Sequence, residues 1–259
     1  MKNLSYLCCL AITAGTLLLA GCASHPSEPA APPKVSASAP VVAPPAKVED
    51  SEITLPPGAA QPPAPFEGQG WEAMCDGKSL DGWRETAFAG RGGVHCQKGL
   101  IVMGMGDPFT GLNYTNNFPT MNYEIALDAM RLMGTDFFCG LTVPVGTNCC
   151  SLIAGGWGGS LFGISSLDGM DASENETTKF MGFETGRWYR LRLRVTEKEL
   201  QAWVNNDKLV DVNLEDHRIA VRPGDIEMSQ PIGIAAWQTS AAYREIKFRR
   251  VTAPAGKGE

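Results

Sequence analysis

From Phe66 onward, hydrophobic and polar residues alternate in short runs. The strictest run covers 188–195 and reads Trp-Tyr-Arg-Leu-Arg-Leu-Arg-Val. A period of two residues is typical of a β-strand that buries one face. The positions predicted to face the core are Tyr189, Leu191, Leu193 and Val195. A shift of one residue would bury three arginines instead, so the register of this strand is well specified.

Polar turns separate this run from the next hydrophobic runs. Turns at 197–199 and 205–207 predict that the strands 188–195, 200–204 and 208–212 form a β-meander. The other predicted strands cover 99–104, 123–129, 137–143, 151–155, 161–165, 231–237 and 245–251. No stretch keeps a 3.6-residue period for three turns. Short strands separated by turns predict an all-β sandwich or barrel.

The region ahead of these strands has a different composition. Residues 23–65 hold twelve of the 18 prolines and no Phe, Trp or Tyr. Such a segment buries too little surface to offset its ordering entropy, so we expect a disordered, extended spacer over 22–65. A proline-rich ligand for a partner domain is the alternative. The folded domain is predicted at 66–252, with a disordered tail at 253–259.

The first residues have the features of an export signal. Lys2 precedes an apolar run at 7–20 that is short for a membrane span. The run ends in Leu19-Ala20-Gly21-Cys22, which resembles the lipobox of bacterial lipoproteins. This resemblance implies a signal peptide at 1–21, acylation of Cys22 and a membrane contact through the lipid anchor. By resemblance to Gram-negative sorting signals, Ala23 after the cysteine implies the outer membrane of the bacterial cell envelope. An ordinary secretory signal is the alternative.

Charge limits the classes of partner. The chain has 22 basic and 28 acidic residues, a net charge of −6 and a pI near 5.2. Non-specific binding to nucleic acid depends on neutralising phosphates, so we expect no nucleic-acid partner.

Four motifs carry a family resemblance. They are Asp-Gly-Lys-Ser-Leu-Asp-Gly-Trp at 76–83, Gly-Arg-Trp-Tyr at 186–189, Val-Asn-Asn-Asp-Lys-Leu-Val-Asp at 204–211, and the pair 231–234 and 246–249. In this order they resemble the 3-keto-disaccharide hydrolase domain family, formerly a domain of unknown function. The resemblance covers about 71–251. It implies a concanavalin-A-like jelly-roll sandwich, a carbohydrate partner, and hydrolysis or elimination of a 3-keto-glycoside.

The centre of the chain departs from the family pattern. Phe138-Cys139-Gly140-Leu141 stands where the family usually carries Asn-Ser-Gly-Ile. The family's acidic, glutamine-containing strand is replaced by the apolar run 150–157. No catalytic carboxylate is therefore carried over from the family to these positions.

An acidic loop at 168–176 supplies candidate catalytic carboxylates: Asp168, Asp171 and Glu174. Two carboxylates could share the acid and base roles on a glycosidic bond. The same oxygens could instead hold a divalent cation such as Ca²⁺, although the spacing is not that of an EF-hand. A solvated acidic loop is the third interpretation.

Two aromatic segments are candidate sugar-binding sites. Trp157 lies among four glycines at 155–159, where an exposed indole could stack on a pyranose. A buried tryptophan beside a β-bulge explains the pattern equally well. Trp237 and Gln238 combine an aromatic ring with a hydrogen-bonding side chain at a strand end.

His95 is the candidate base for 3-keto-sugar chemistry. A 3-keto group acidifies the proton on C2, a base removes that proton, and the substituent on C1 leaves. This elimination needs at least one base and one cation near the 3-keto oxygen. A structural role for His95, and for His217, is the alternative.

Two further patterns have open interpretations. The arginines Arg190, Arg192 and Arg194 share one strand face, which predicts a solvated surface paired with acids, though an anionic glycan could bind there. Five cysteines (75, 96, 139, 149 and 150) lie in the predicted domain, so at least one is unpaired or bonded between chains. Their spacing does not predict a zinc site.

These patterns leave three function classes open. The protein is an enzyme acting on glycosides, a non-catalytic, lectin-like carbohydrate-binding module, or an envelope assembly protein that uses a sheet edge.

Overall fold

A computed structural model describes residues 53–251 of the chain. The predicted signal peptide, Cys22, the spacer up to residue 52 and the tail at 253–259 lie outside these described residues. Within 53–251, no helix has the length and hydropathy needed to span a membrane.

The described residues form fifteen strands, one short helical turn and two 3₁₀ turns. The strands are β1 (Glu72–Ala73), β2 (Trp83–Glu85), β3 (Val94–Gln97), β4 (Leu100–Met103), β5 (Phe109–Tyr114), β6 (Tyr123–Gly134), β7 (Cys139–Val145), β8 (Asn148–Gly155), β9 (Leu161–Ser165), β10 (Lys179–Phe180), β11 (Trp188–Val195), β12 (Glu199–Val204), β13 (Asp207–Asn213), β14 (Gly233–Trp237) and β15 (Thr239–Arg250). The helical turn α1 is Gly156–Gly159, and the 3₁₀ turns are Pro57–Ala60 and Asp225–Ser229.

The strands build two antiparallel sheets. The back sheet has the order β13-β12-β11-β6-β15-β4-β3, and β1 also pairs with β15. The front sheet has the order β10-β9-β8-β7-β14-β5-β2. The two sheets pack face to face, which confirms the predicted all-β, jelly-roll sandwich.

The core lies between the inward faces of the two sheets. Leu191 and Leu193 of β11 are buried there, as the alternation predicts. Tyr123 and Tyr243 of the back sheet are fully buried, and burial raises the pKa of both phenols well above 10. Their hydroxyls donate to the carbonyls of Pro144 and Phe138, each at 2.6 Å. These bonds satisfy polar groups inside the core and link the two sheets.

Strand prediction succeeded where alternation is regular. The predicted limits of β9 and β11 match the observed limits. Strand β15 begins at Thr239, six residues before the predicted start at 245. Its register shifts between Arg244 and Lys247. This β-bulge interrupts the alternation of inward and outward residues.

The arginine face of β11 is paired with acids, as predicted, but it is only partly solvated. Arg190 donates to Asp128 at 2.7 Å, and Arg192 donates to Glu124 at 2.9 Å. Both carboxylates lie in β6, and both are buried on the outer face of the back sheet. Acidic partners are present, as expected, but a further layer of chain covers them.

That layer is residues 53–71, which we call the N-terminal strap. Ile53 and Leu55 pack on outward residues of the back sheet, including Met130. Arg190 donates to the carbonyls of Ala64 and Pro65, and Arg244 donates to that of Gln61. Residues 53–65 are thus part of the packed domain, and their assignment to a disordered spacer is wrong. Arginine donors on the sheet supply the hydrogen bonds that a proline-rich chain cannot make internally.

All five cysteines of the described region are free thiols. Cys139 and Cys150 are fully buried, and burial raises the pKa of both. They lie on neighbouring strands but not opposite each other, since Cys139 pairs with Ala154 and Cys150 with Val143.

Candidate functional site

The outer face of the front sheet carries an open pocket. Its volume is about 530 Å³, within the usual range for small-molecule sites. We call it the front pocket. Its lining residues come from strands β5, β8, β9 and β14 and from the loops that follow β6, β8, β9 and β13: Phe109, Asp136, Phe137, Ile153, Trp157, Ser165, Asp171, Arg222, Pro223, Gly224, Asp225, Ile226 and Trp237.

One wall of the front pocket is aromatic. Phe109 of β5 and Trp237 of β14 are cross-strand partners, and their rings meet edge to face with centroids 4.5 Å apart. Phe137 lies 6.1 Å from Phe109 and 6.5 Å from Trp237. Phe88 stacks on Phe109 at 4.7 Å and supports the wall. Such a rigid aromatic surface can contact the apolar face of a sugar ring.

Trp157 reaches the pocket from the glycine-rich turn α1. Its backbone is left-handed, with φ 47° and ψ 59°, and the flanking Gly155 and Gly158 also have positive φ. In this conformation Trp157 is 42% exposed and lines the front pocket. The glycine-rich motif therefore carries an exposed Trp157, one of the two predicted alternatives, and not a buried one.

Arg131, a residue that sequence analysis did not select, holds this turn in place. Its guanidinium donates to four carbonyls, those of Gly155, Gly159, Asp136 and Phe183, at 3.0 to 3.3 Å. The residue is only 5% exposed, and burial lowers the pKa of its guanidinium. Arginine nevertheless stays protonated in proteins. Arg131 therefore fixes the turn that carries Trp157 and the segment that carries Asp136.

Opposite charges meet at Asp171. Its carboxylate accepts from the Ser165 hydroxyl at 2.5 Å and lies 2.9 Å from the Arg222 guanidinium. The Asp171 side chain is 13% exposed, whereas that of Arg222 is 60% exposed. Asp136 and Asp225 add two more carboxylates to the lining. The pocket thus offers carboxylate and cationic groups beside its aromatic wall.

The structure brings three of the predicted site residues together, since Asp171, Trp157 and Trp237 all line the front pocket. The other four are not among its lining residues. Glu174 and Gln238 are exposed, and Asp168 is bound to His217 and to the backbone of Arg218. His95 lies in β3 of the back sheet, 3.2 Å from the Gln97 side chain. The catalytic and binding roles of all seven residues stay predictions.

Five lining residues with aromatic or charged side chains are among those not predicted: Phe109, Asp136, Phe137, Arg222 and Asp225. They come from three separate segments of the chain. Their convergence depends on long-range strand pairing, and no local pattern marks them. Only the turn signal Arg-Pro-Gly-Asp at 222–225 could have drawn attention to one of these segments.

The divalent cation considered for the acidic loop finds no preformed site. Among residues 53–251, no group of three His, Cys, Asp or Glu residues is placed to hold a metal ion. Asp171 is instead bound to Ser165 and Arg222. The donor set of the described residues does not fit a metal.

A histidine joins the two loops that flank the pocket. His217 Nδ1 lies 2.7 Å from Asp168 Oδ2, and its Nε2 lies 3.4 Å from Glu176 Oε1. The hydrogen bond to Asp168, with a smaller contribution from the charge of Glu176, raises the pKa of His217 above 6.5. The Arg218 amide and His217 lower the pKa of Asp168.

These shifts predict a pH-dependent contribution of His217 to stability. A histidine whose pKa is raised by folding stabilises fully below its unfolded pKa, and this stabilisation is lost as pH rises through its folded pKa. We expect His217→Gln to lower the free energy of unfolding more at about pH 5.5 than at about pH 8.5. Urea unfolding at both pH values measures the difference. In an Asp168→Asn background the pH dependence should largely disappear; a His217→Gln effect of equal size at both pH values would contradict the linkage.

Comparisons with known proteins place the chain in a family. The chain is similar to a solved protein with a galectin-like fold from Bacillus subtilis, with a TM-score of 0.46 and 10% identity over 66% of this chain and 90% of that one. It is also similar to a carbohydrate-binding module from Bacillus subtilis, with a TM-score of 0.45 and 10% identity over 65% of this chain and 95% of that one. A β-1,3-glucanase from Mycobacterium marinum has a TM-score of 0.45 and 11% identity over 71% of this chain and 99% of that one. No curated protein matches the chain. Residues 70–249 match the family model described as a 3-keto-alpha-glucoside-1,2-lyase-like domain, which confirms the resemblance found in the sequence. The chain belongs to this 3-keto-disaccharide hydrolase family.

Proposed function

We propose that this protein binds a glycoside in the front pocket and cleaves a 3-keto-glycoside there. The observation that carries the proposal is the Asp171–Arg222 pair, 2.9 Å apart, in the same pocket as the ring of Trp237. Base and cation are the two groups that 3-keto-sugar chemistry needs. Aromatic rings provide the surface on which a pyranose can be held.

The pocket residues can be assigned to the steps of an elimination. The Asp171 carboxylate removes the C2 proton, and the electron pair of the broken C–H bond forms an enolate with the 3-keto group. The Arg222 guanidinium stabilises the negative charge on that oxygen. The enolate then collapses to a C1–C2 double bond, and the C1–O bond breaks. The departing oxygen takes up a proton from Asp171, directly or through water, and this returns the carboxylate to its starting state.

Asp171→Asn tests the assignment of the base. We expect turnover of a 3-keto-glucoside by the purified chain to fall by about 10²-fold or more, because general-base catalysis contributes about 10² to 10⁴. Asp168→Asn is the matched control, since it lies in the same loop but outside the pocket lining, and it should retain turnover. Wild-type turnover in the Asp171 variant would refute this role.

A non-catalytic, lectin-like module is the second candidate. Both oxygens of Asp171 already have partners, Ser165 and Arg222, so this carboxylate could serve to shape a binding site. Saturable glycan binding without turnover, weakened by Trp237→Ala, would favour the module over the enzyme. Absence of both binding and turnover would favour an assembly role.

We further propose that the protein is a lipoprotein of the bacterial cell envelope, anchored in the outer membrane through Cys22. The support is the Leu-Ala-Gly-Cys motif after an apolar run. Cys22→Ala should move the protein from the membrane fraction to the soluble periplasmic fraction. Mass spectrometry of the N-terminal peptide should detect acyl chains on the wild-type protein and not on the variant. An unacylated wild-type peptide would exclude the anchor.

A further inference from the structure

A second hollow lies on the opposite side of the sandwich. It has a volume of about 280 Å³ and is bounded by the N-terminal strap, strands β6 and β11, and the turn between β12 and β13. We call it the back pocket. The residues that define its chemistry are Phe66, Trp71, Arg190, Arg192, Asn205 and Asn206.

The surface under the back pocket has more cations than anions. Two buried carboxylates, Glu124 and Asp128, are the ion-pair partners of five arginines. The five are Arg190, Arg192, Arg194, Arg244 and Arg249. Their other acceptors include neutral carbonyls of the strap. Glu67 lines the pocket and offsets part of this positive charge.

Arg192 has hydrogen-bonding capacity left over. Its Nη1 donates to Glu124 at 2.9 Å, and its guanidinium stacks over the Trp203 ring at 4.0 Å. A guanidinium carries five N–H donors, and the described residues supply no second acceptor for this one. Its side chain is 24% exposed, so the remaining donors are accessible to a ligand in the hollow.

The turn between β12 and β13 adds side-chain amide donors to the back pocket. The Asn205 side-chain oxygen accepts from the Arg190 amide at 3.0 Å, which leaves its NH₂ group as the available end. Asn206 is exposed beside it. The strap contributes the rings of Phe66 and Trp71, packed edge to face with centroids 4.9 Å apart. The hollow thus combines hydrogen-bond donors, positive charge and an aromatic surface.

We propose that the back pocket binds an oxyanion, a carboxylate or sulfate or phosphate group, carried on a saccharide whose ring contacts the strap aromatics. Arg192 and the Asn205 amide bind the oxyanion through charge-assisted and neutral hydrogen bonds. The sugar ring lies against the part of Trp71 that lines the pocket; Arg249 already stacks on this indole at 4.6 Å, and the indole N–H is bound to the Glu67 carbonyl at 3.0 Å. This site is separate from the front pocket and does not depend on the function proposed for it.

Titration calorimetry on the full chain tests the proposal with four probes: a disaccharide bearing one glucuronate, its sulfated counterpart, the neutral disaccharide and inorganic sulfate. We expect both anionic disaccharides to bind more weakly as NaCl concentration rises. Arg192→Gln should weaken their binding by about tenfold or more, and binding of the neutral disaccharide should not respond to it. Arg84→Gln, an exposed arginine outside both pocket linings, is the matched control.

Arg192 also pairs with buried Glu124, so its replacement can disturb folding as well as binding. A second variant that keeps this pair therefore tests the proposal independently. Asn206→Asp leaves every ion pair intact and places a negative charge at the pocket wall, so it should also weaken the anionic disaccharides. Failure of both anionic disaccharides to bind would overturn the proposal, as would unchanged affinity in both variants. Inorganic sulfate binding as tightly as the sulfated disaccharide would overturn the role of the sugar ring.

Discussion

Replacement of Glu124 by glutamine is expected to lower the free energy of unfolding by about 3–5 kcal/mol, the usual cost of breaking a buried ion pair from one side. Glu124 is fully buried and accepts from three arginines: Arg192 at 2.9 Å, Arg194 at 3.4 Å and Arg249 at 2.8 Å. The glutamine keeps the size of the side chain but leaves these guanidinium groups without a counter-charge. Urea unfolding followed by circular dichroism measures the difference.

Glu85→Gln is the matched control for this effect. Glu85 also pairs with an arginine, Arg91, at 3.0 Å, but both side chains are more than 40% exposed. An exposed pair typically contributes no more than about 1 kcal/mol. If the Glu124 and Glu85 variants unfolded at the same urea concentration, the buried arginine–carboxylate network would not stabilise the back sheet as argued.

Arg131→Met is expected to damage both the stability of the domain and the front pocket. Methionine fills much of the space but leaves the carbonyls of Gly155, Gly159, Asp136 and Phe183 without the donors that Arg131 provides. A buried polar group without a partner costs about 1–3 kcal/mol, so the total loss should be several kcal/mol, on the order of the Glu124 effect. The left-handed turn at Trp157 should also lose its fixed position. Glycoside titration and acrylamide quenching of tryptophan fluorescence measure this second effect.

Arg244→Met separates the two consequences. Arg244 is also buried, but it does not contact the turn that carries Trp157; it pairs with Asp128 at 3.2 Å. Its loss should reduce stability without changing the affinity of the front pocket. If Arg131 acts through Trp157, Arg131→Met should weaken glycoside binding less in a Trp157→Ala background than in the wild type. Equal effects in both backgrounds would mean that Arg131 has no positioning role toward Trp157.

Much of the fold follows from local alternation, because each strand buries one face in a single core. The limits of β9 and β11 could be read directly, and the meander β11–β12–β13 follows from the polar turns between its strands. The start of β15 could not be read in this way, because the bulge after Arg244 interrupts the two-residue alternation of the strand. Strand β5 was missed because Gly111 and Asn113 interrupt its hydrophobic pattern.

The outer faces of the sheets were harder to predict than the core. Alternation shows that Arg190, Arg192 and Arg194 face away from the core, but not that a proline-rich segment more than a hundred residues earlier covers them. Composition marked Trp157, Trp237 and Asp171 as candidates. It did not mark Asp136 or Arg222, because their proximity to the others arises only when distant loops fold over the front sheet.

The strap also fixes the direction from which the chain enters the domain. Ile53 packs on the outer face of the back sheet, whereas the front pocket opens on the other side of the sandwich. A tag or solid support joined directly at Ile53 is therefore attached on the side of the sandwich opposite the front pocket. Immobilising the protein through an attachment at Ile53 should leave the front pocket directed toward the solution, which makes this the preferred orientation for testing the proposed glycoside binding on a sensor chip.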